Sequence, residues 1–364
     1  MEKYFFFLGI LILSEFSFCQ PKTSWFQPKF LEGVCVMDTT NIFHRIPIGM
    51  KNKVREEVWD LSENTAGEFI HFKTSASKIT VRYVLKSKDF SFPHMPATGV
   101  SGLDLFALDA NGNWNWTAGK YRFDDTCQYV FKNLTPEKNN VDVSDFYLYL
   151  PLYNTVTWIS IGVDKDVKFL FAEKNRKRPI VAYGTSILQG GVTSRPGLAW
   201  TNILERNLDR TIVNLGFSGE GKLEAPIFDL MSDVDADMYI LDCMPNLPDA
   251  SFEEVRNRVR YGVKKLRKNN KLVPILFAEE ANTYMPFYMG NASFDTNDKS
   301  SSVIARVFNE LKLSGTKNIF MLTNGAINFD INSTVDGQHP NDIGMMKYAV
   351  AYEKIIRKIL NDVK

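Results

Sequence analysis

Residues 180–187 read Ile-Val-Ala-Tyr-Gly-Thr-Ser-Ile, an apolar run of strand-forming residues that passes through a glycine to a serine. Further apolar runs of this kind follow along the second half of the chain, separated by helical stretches. They span residues 211–215, 238–241, 273–277 and 318–322. Alternating strands and helices favour a parallel sheet that is covered by helices on both faces.

The helical stretches are clearest at residues 251–268 and from Asn341 onward. In the closing stretch, apolar residues recur at spacings of three, four and their sums, which predicts one apolar helix face. These residues are Ile343, Met346, Val350, Ile356 and Ile359.

The first half of the chain has a different rhythm. From about Glu68 to Glu173 it consists of short segments rich in β-branched and aromatic residues. Period-two alternation and the turn-forming run 109–113 indicate antiparallel sheets, so we predict a β-sandwich. The strand candidates span residues 78–84, 102–108, 146–150 and 155–161.

A polar run at residues 173–178 separates the two rhythms. We interpret it as a solvated linker rather than as a binding patch. The predicted domains are therefore an N-terminal β-sandwich at 20–175 and a catalytic α/β domain at 176–364.

The first nineteen residues have the pattern of a signal peptide, with a charged start and an apolar run from Tyr4 to Leu13. This run is too short to span a bilayer as a helix, and no later stretch reaches the roughly 18 apolar residues that spanning needs. We predict cleavage after Cys19 and export to the periplasm or the extracellular space. A lipid anchor on Cys19 is the less favoured alternative, because the preceding Phe18 is bulky where a lipoprotein signal has a small residue.

Charge and cysteine content exclude some classes of function. The chain has 43 Lys and Arg against 42 Asp and Glu, a net charge of +1, so nothing indicates binding to nucleic acid. Beyond Cys19, the three cysteines lack metal-ligand spacing and are odd in number. A bridge between Cys35 and Cys127 is one alternative, and buried free thiols are the favoured one. The third is Cys243.

Polar residues that directly follow the strands are candidates for a site, because ligands bind outside the carboxyl ends of a parallel sheet. Ser186 follows the first strand, Gly219 the second and Asn246 the third. Each has a simpler explanation as a helix cap or turn residue. A glycine amide and an asparagine side chain can also stabilise an oxyanion.

The most informative run is Asp336-Gly337-Gln338-His339-Pro340, before the final helix. A serine nucleophile needs an adjacent base, and the base needs a group that fixes its tautomer. An aspartate three residues before a histidine can supply that group locally. The other histidines, His44, His71 and His94, all lie in the β-rich half. One histidine without clustered carboxylates is a poor metal site, so no metal or cofactor is predicted.

Taken in this order, Gly184-Thr185-Ser186, Gly219, Asn246 and the Asp336-x-x-His339 pair resemble the four signature blocks of SGNH (GDSL-like) hydrolases. The resemblance implies a flavodoxin-like three-layer α/β/α fold and ester hydrolysis through an acyl-enzyme. It also implies Ser186 as nucleophile, His339 as base and then acid, and Asp336 as the group that orients His339. The amides of Ser186 and Gly219 and the side chain of Asn246 would then form the oxyanion hole.

The sequence departs from the family pattern at two places. Thr185 stands where the family name has aspartate, and Met244-Pro245-Asn246 replaces the usual Gly-x-Asn-Asp. Neither change removes an essential group. The second change alters the residues around Asn246, so it bears on the assignment of Asn246 to the oxyanion hole.

The run Gly102-Leu103-Asp104-Leu105-Phe106 is similar to the Gly-x-Asp-Leu-Tyr motif of the β-sandwich that precedes some SGNH esterases, with Phe106 in place of tyrosine. Esterases of that kind are associated with deacylation of carbohydrates. Trp114 and Trp116 are predicted to share one strand face, where they pack in a core or stack on sugar rings. For Trp200 the alternatives are packing and contact with an acyl group or a sugar, and packing is favoured for all three tryptophans.

We therefore predict an exported serine esterase that removes short acyl groups, above all acetyl, from a carbohydrate or another small ester. A carbohydrate-binding or scaffold protein with a degenerate hydrolase domain is one alternative, and a lipase or thioesterase is another. The sequence leaves the substrate-binding residues, the sugar and the oligomeric state open.

Overall fold

The computed structural model describes residues 23–38, 40–135, 143–175, 177–269, 271–281 and 295–362. The predicted signal peptide and Cys19 lie outside these residues. Within the described ranges, no helix combines the length and apolar character that crossing a bilayer requires.

Ten antiparallel strands of the first half form two five-stranded sheets. They are β1 (Thr23–Phe26), β2 (Phe69–Thr74), β3 (Lys78–Leu85), β4 (Asp104–Leu108), β5 (Trp114–Thr117), β6 (Gly119–Arg122), β7 (Cys127–Lys132), β8 (Ser144–Tyr149), β9 (Val156–Asp164) and β10 (Phe169–Phe171). The strand orders are β1-β9-β3-β7-β6 and β10-β2-β8-β4-β5. Two short helices, α1 (Glu56–Ser62) and α2 (Ala97–Val100), lie between strands.

The core of this half lies between the two sheets, as the period-two pattern predicts. On β3, Ile79, Val81 and Tyr83 are buried, whereas the residues between them are partly or fully exposed. They pack in one apolar cluster with Leu105 and Leu148 of the facing sheet. The predicted antiparallel β-sandwich is confirmed.

The second half forms a five-stranded parallel sheet in the order β12-β11-β13-β14-β15. Its strands are β11 (Ile180–Gly184), β12 (Ile212–Gly216), β13 (Met238–Asp242), β14 (Ile275–Ala278) and β15 (Ile319–Leu322). The helices are α3 (Ser186–Gln189), α4 (Trp200–Leu208), α5 (Ala225–Ser232), α6 (Phe252–Leu266), α7 (Asp295–Leu313), α8 (Asn324–Ile327) and α9 (Asp342–Asp362).

Two separate apolar cores cover the two faces of this sheet. One contains the inner residues of α5, α6 and α7, and the other contains those of α4 and α9. All residues of the three strands β11, β12 and β13 are buried, which explains their nearly continuous apolar sequences. The strand order is that of the flavodoxin-like fold, so the predicted three-layer α/β/α architecture is confirmed.

The predicted apolar face of α9 is wrong for the first three of its five residues. Ile343, Met346 and Val350 are 54%, 45% and 59% exposed, whereas Ile356 and Ile359 are buried. An α-helix has 3.6 residues per turn. Over the six residues from Val350 to Ile356, the side-chain direction therefore changes by a net angle of about 240°, so the two residues lie on different faces of the helix. The buried face of the first turns consists of Met345, Tyr348, Ala349 and Tyr352.

Part of the N-terminal half packs into the core of the parallel sheet. Cys35, Ile46 and Trp59 belong to the same buried cluster as the helices on one face of that sheet. Cys127, in contrast, lies in the core of the sandwich. The three cysteines Cys35, Cys127 and Cys243 are free and buried, so the favoured prediction of free thiols is confirmed and the alternative Cys35–Cys127 bridge is not formed.

Candidate active site

The parallel register brings the ends of three strands to one level. Gly184 of β11 lies opposite Gly216 of β12 on one side and Asp242 of β13 on the other. The segments that continue from these strands therefore start side by side, at the carboxyl edge of the sheet. They carry the candidate residues Ser186, Gly219 and Asn246.

Ser186 is the first residue of α3, directly after a residue with an extended backbone. Its carbonyl oxygen accepts hydrogen bonds from the amide of Gly191 at 2.8 Å and from the hydroxyl of Tyr153 at 3.1 Å. Tyr153 belongs to the N-terminal half, so both halves of the chain hold the turn that presents Ser186. Gly190 ends the helix with φ +104°, a conformation that favours glycine.

Ser186, His339 and Asp336 form one hydrogen-bonded row. The hydroxyl oxygen of Ser186 lies 2.9 Å from Nε2 of His339. Nδ1 of the same ring lies 2.7 Å from Oδ2 of Asp336. The second carboxylate oxygen of Asp336 accepts the backbone amides of His339 at 2.7 Å and of Gln338 at 3.0 Å. Gly337 has φ +89°, and this conformation lets the loop turn back on its own aspartate.

The loop that carries this pair is closed at its base. Thr334 and Pro340 form an isolated antiparallel bridge, and the hydroxyl of Thr334 donates to the carbonyl of His339 at 2.9 Å. Asn341 then caps α9, because its side-chain oxygen accepts the amides of Ile343 and Gly344. The loop is thereby fixed to the helix that follows it.

The electrostatics of Asp336 favour its charged form. Partial burial raises the pKa of this carboxyl, but hydrogen bonds from the backbone and ring of His339 and from the amide of Gln338 outweigh that effect and hold the pKa below its ordinary value. A charged carboxylate beside Nδ1 keeps the proton on that nitrogen and leaves Nε2 free to accept the serine proton.

Gly219 lies in an exposed turn after β12, with φ +72°. The amide of Ser218 donates to the side chain of Gln189 at 3.0 Å, which ties this turn to α3. Gly221 approaches the end of β11 so closely that an added Cβ would lie 1.8 Å from the carbonyl oxygen of Gly184. The position of the turn therefore depends on glycine at 221.

Asn246 lies beside the same turn. Its side-chain NH2 group is 3.3 Å from the carbonyl oxygen of Phe217 and 3.4 Å from that of Gly221. Both are long hydrogen bonds, and their acceptors flank Gly219 in the sequence. The structure thus places Asn246 next to the predicted oxyanion residue.

Two buried carboxyls, Asp242 at the end of β13 and Glu280 just after β14, lie at the carboxyl ends of their strands. Burial raises the pKa of Asp242 to about 6, a hydrogen bond from Tyr352 at 2.8 Å opposes the shift, and the nearby Glu280 adds to it. Burial also raises the pKa of Glu280, against hydrogen bonds from Ser300 and from the side chain of Gln338. Because Gln338 lies between Asp336 and His339 in the sequence, Glu280 contacts the loop that carries this pair.

Asp104, the aspartate of the Gly-x-Asp-Leu-Tyr-like run, joins the two halves of the chain. It accepts hydrogen bonds from the indole of Trp116 at 2.6 Å, from the guanidinium of Arg195 at 2.5 Å and from the amide of Gly197 at 2.9 Å. Burial raises the pKa of Asp104, and the contact with Arg195 counteracts this. An added Cβ on Gly197 would lie 2.3 Å from the ring of Phe106, so the halves are in close contact here.

The three tryptophans that the sequence singles out lie in different surroundings. Trp200 is fully buried and stacks on Tyr352 with ring centroids 4.2 Å apart, which is core packing. Trp114 packs edge-on against Tyr147 and donates to the carbonyl of Arg206 at 3.1 Å. Trp116, in contrast, is 51% exposed, so the prediction of packing is wrong for this residue.

The structure brings Ser186, His339 and Asp336 into contact. It places Asn246 beside the turn that carries Gly219, and Ser218 ties this turn to α3. Sequence reasoning missed two supporting residues, Tyr153 and Gln189. Gln189 donates to Asn64 and to the carbonyl of Leu152, each at 3.1 Å, and so links α3 to the N-terminal half. No local pattern marks either residue, since both act through contacts between distant parts of the chain.

Comparison with protein families agrees with this geometry. Residues 177–357 match the model of the GDSL-like lipase/acylhydrolase family, and residues 17–169 match that of the N-terminus of SGNH-hydrolase-type esterases, named for the sequence Gly-x-Asp-Leu-Tyr. The fold, the row of three side chains and these matches define a carboxylic ester hydrolase. The chain belongs to the GDSL-like lipase/acylhydrolase family, in the form that carries this N-terminal domain, as the sequence motifs predict.

Solved structures show the same two-part fold. A proposed GDSL-like lipase from Bacteroides ovatus is 29% identical, with a TM-score of 0.84 over 93% of this chain and 98% of that one. The salicylyl-acyltransferase SsfX3 of a tetracycline biosynthetic pathway is 17% identical, with a TM-score of 0.73 over 93% and 97%. A family two carbohydrate esterase from Clostridium thermocellum, solved with cellohexaose, is 13% identical, with a TM-score of 0.51 over 81% and 92%. No curated protein sequence matches this chain.

Proposed function

We propose that this protein is an exported serine esterase that removes short acyl groups, above all acetyl, from carbohydrate. The observation that carries the proposal is the row Ser186–His339–Asp336, with 2.9 Å and 2.7 Å between its successive polar atoms. These are the distances over which a serine proton can pass to a base that a carboxylate orients.

In the first half of the reaction, the hydroxyl oxygen of Ser186 attacks the ester carbonyl and its proton moves to Nε2 of His339. The negative charge of Asp336 stabilises the imidazolium that forms. When the tetrahedral intermediate collapses, the bond to the sugar oxygen breaks and His339 gives the proton to that oxygen. The sugar leaves with a free hydroxyl, and the acyl group stays on Ser186.

In the second half, a water molecule replaces the sugar. His339 accepts a proton from the water as it attacks the acyl-enzyme, and returns this proton to the oxygen of Ser186 when the second intermediate collapses. The products are the carboxylic acid and the free enzyme. The described groups need no further reactant besides water.

We assign the oxyanion hole to the amides of Ser186 and Gly219 and to the side chain of Asn246. The first two are backbone amides in segments that follow β11 and β12 at the carboxyl edge of the sheet, and backbone donors held by a folded sheet need little reorganisation during a reaction. The bonds of Asn246 to two carbonyls are long, 3.3 Å and 3.4 Å, so exchange of one for a bond to a charged oxyanion is favourable.

The proposal of a carbohydrate substrate rests on the N-terminal domain and on its run at residues 102–106, which is similar to the motif of esterases associated with deacylation of carbohydrates. Export rests on the apolar run in the first nineteen residues of the sequence. The predicted division at residue 175 stays part of the proposal.

The test measures hydrolysis of p-nitrophenyl acetate and of an acetylated polysaccharide mixture by the mature chain. Ser186→Ala and His339→Ala should each lose at least about 10³-fold in kcat, with unchanged circular dichroism and thermal unfolding. Ser302→Ala, which removes an exposed hydroxyl on α7, is the matched control and should keep most of the activity. Activity that survives in Ser186→Ala would contradict the serine mechanism, and preference for long acyl chains would favour a lipase.

A further inference from the structure

A cavity of about 260 Å³ opens at one edge of the β-sandwich. It lies where β5 and β6, the last strands of the two sheets, follow each other along the chain. The loop after α3 closes one side of it. The lining residues that matter here are Trp116, Tyr121, Tyr129, Phe131, Ser194 and Arg195. We call this space the edge cavity.

Two aromatic side chains of the edge cavity are unusually exposed. Trp116 is 51% exposed and Tyr121 is 54% exposed, although both border a cavity that other aromatic rings line. Large apolar side chains that stay exposed together at a concave surface mark a binding site more often than a single exposed one does. The edge cavity therefore has the composition of a ligand site, with apolar walls and a few polar groups.

Both rings are held in place by contacts that leave about half of each side chain exposed. The indole N–H of Trp116 donates to buried Asp104 at 2.6 Å, and the guanidinium of Arg195 lies 4.4 Å from the ring centroid. Tyr121 stacks on Tyr129 with centroids 5.2 Å apart. A ring that is fixed before a ligand arrives loses little conformational freedom on binding, which favours affinity.

The chemistry of the lining fits a sugar ring. The C–H groups of a pyranose form apolar patches that lie flat on aromatic rings, while its hydroxyls need donors and acceptors at the rim. Arg195 and the hydroxyl-bearing Thr98 and Ser194 line the same space. The volume is slightly below the roughly 300–1,000 Å³ of drug-sized pockets, which suits one ring rather than a whole oligosaccharide.

The edge cavity is also connected to the proposed catalytic loop. The amide of Ser194 donates to the carboxylate of Asp342 at 2.9 Å, and the carbonyl of Ser194 accepts from Thr98 at 2.6 Å. Asp342 follows His339 by three residues, a stretch that spans at most about 11 Å even when fully extended. Ser194 therefore borders the edge cavity and also contacts the start of α9, three residues along the chain from His339.

We propose that the edge cavity binds a pyranose unit of the glycan whose ester is cleaved at Ser186, with Tyr121 and Trp116 as the stacking surfaces. This makes the sandwich domain part of the substrate-binding surface. The effect on catalysis rests on the proposed function, whereas the binding of the glycan does not depend on reaction at Ser186.

The test uses Tyr121→Ala, because Tyr121 is exposed and lies on an edge strand. KM for an acetylated xylo-oligosaccharide and for acetylated glucomannan should rise about 10-fold, the size of one lost ring contact, with kcat unchanged. Hydrolysis of p-nitrophenyl acetate, which has no sugar, should be unaffected. Tyr121→Phe keeps the ring and should restore the original KM. Trp158→Ala is the matched control, since Trp158 is a 36% exposed aromatic on β9, three strands away in the same sheet.

A second measurement keeps the two proposals separable. Gels that contain deacetylated xylan or glucomannan should retard the full-length Ser186→Ala protein, and should retard Ser186→Ala combined with Tyr121→Ala less. If Tyr121→Ala weakens the retardation but no ester is turned over, the edge cavity is supported and the esterase proposal fails. If Tyr121→Ala changes neither KM nor retardation, the edge cavity proposal is overturned while the esterase proposal stands.

Discussion

Ser186 Oγ lies 2.9 Å from His339 Nε2, although 153 residues separate the two along the chain. The serine is held at the start of α3, at the end of the first strand of the parallel sheet, and the histidine on the loop before α9. The contact between them depends on how the last helix packs on the sheet. The side chain of Tyr352 on α9 stacks on Trp200 and donates to Asp242 at the end of β13, which fixes that packing.

Asp336→Asn should slow turnover by about 10³- to 10⁴-fold without unfolding the protein, because the amide no longer holds the tautomer of His339 or stabilises the imidazolium. Hydrogen bonds lower the pKa of Asp336, so the carboxylate stays charged as the pH falls toward its ordinary value of about 4. Its contribution to stability is present above that value and is lost as the pH falls through the lowered pKa. Steady-state kinetics on p-nitrophenyl acetate measures the loss. Asp249→Asn, an exposed aspartate outside the row, is the control, and equal activity of the two variants would contradict the role of Asp336.

Gly221→Ala should destabilise the protein and reduce activity, because the new Cβ would lie 1.8 Å from a backbone oxygen that cannot move away. Overpacking of this kind costs about 1–3 kcal/mol or more. The turn that carries Gly219 shifts as a result, so kcat falls together with the free energy of unfolding. Chemical denaturation and kinetics test both effects. At Gly49 an added Cβ meets nothing within 4 Å, so Gly49→Ala should change neither quantity, and a tolerated Gly221→Ala would disprove the close approach.

Asp242→Asn should gain stability relative to the parent protein as the pH rises from 4 to 7. Burial raises the pKa of Asp242 to about 6, so the folded protein holds a proton that the unfolded chain releases near pH 4. The parent therefore loses stability over this interval, by at most about 3 kcal/mol, and the amide variant does not. Urea unfolding at several pH values measures the difference. Asp109 has a lowered pKa, because the backbone amide of Asn113 donates a hydrogen bond to it. Its contribution to stability is lost only below the ordinary value of about 4, so Asp109→Asn should show no such trend between pH 4 and 7.

Asp104→Asn should weaken the contact between the two halves of the chain. The amide would put an NH2 group in place of one carboxylate oxygen, facing either the indole of Trp116 or the two donors of Arg195 and Gly197, and would leave Arg195 without its carboxylate. Breaking a buried pair costs about 3–5 kcal/mol, and we expect about 2–3 kcal/mol because Arg195 is partly exposed. Differential scanning calorimetry should show a lower Tm than that of the parent protein. Asp125→Asn, 95% exposed in the same half, is the control, and equal Tm values would contradict the role of Asp104.

Much of the fold follows from local patterns. Runs such as 180–183 and 238–241 are apolar and short, and they form the central strands because a parallel sheet buries both of its faces. The Asp336–His339 contact is also local, since three residues with a glycine between them suffice to close it. For that reason the sequence predicts it directly.

Periodicity does not predict which face of α9 packs against the sheet. Ile343, Met346 and Val350 recur at helical spacing, but the chain buries Met345, Tyr348 and Tyr352. Both faces carry apolar residues, so periodicity alone does not select the one that packs. The selection depends on Trp200 and the sheet, which the tertiary fold brings against the helix.

The sequence by itself determined the strand and helix order, the local Asp336–His339 pair and the family, because these depend on neighbours along the chain. Only the tertiary structure decided that Ser186 meets His339, that Tyr153 and Gln189 support the site from the N-terminal half, and that Trp116 and Tyr121 stay exposed beside a cavity. Such contacts form between segments that are far apart in sequence. Their partners are selected by packing and by hydrogen bonds that exist only once the two halves have come together.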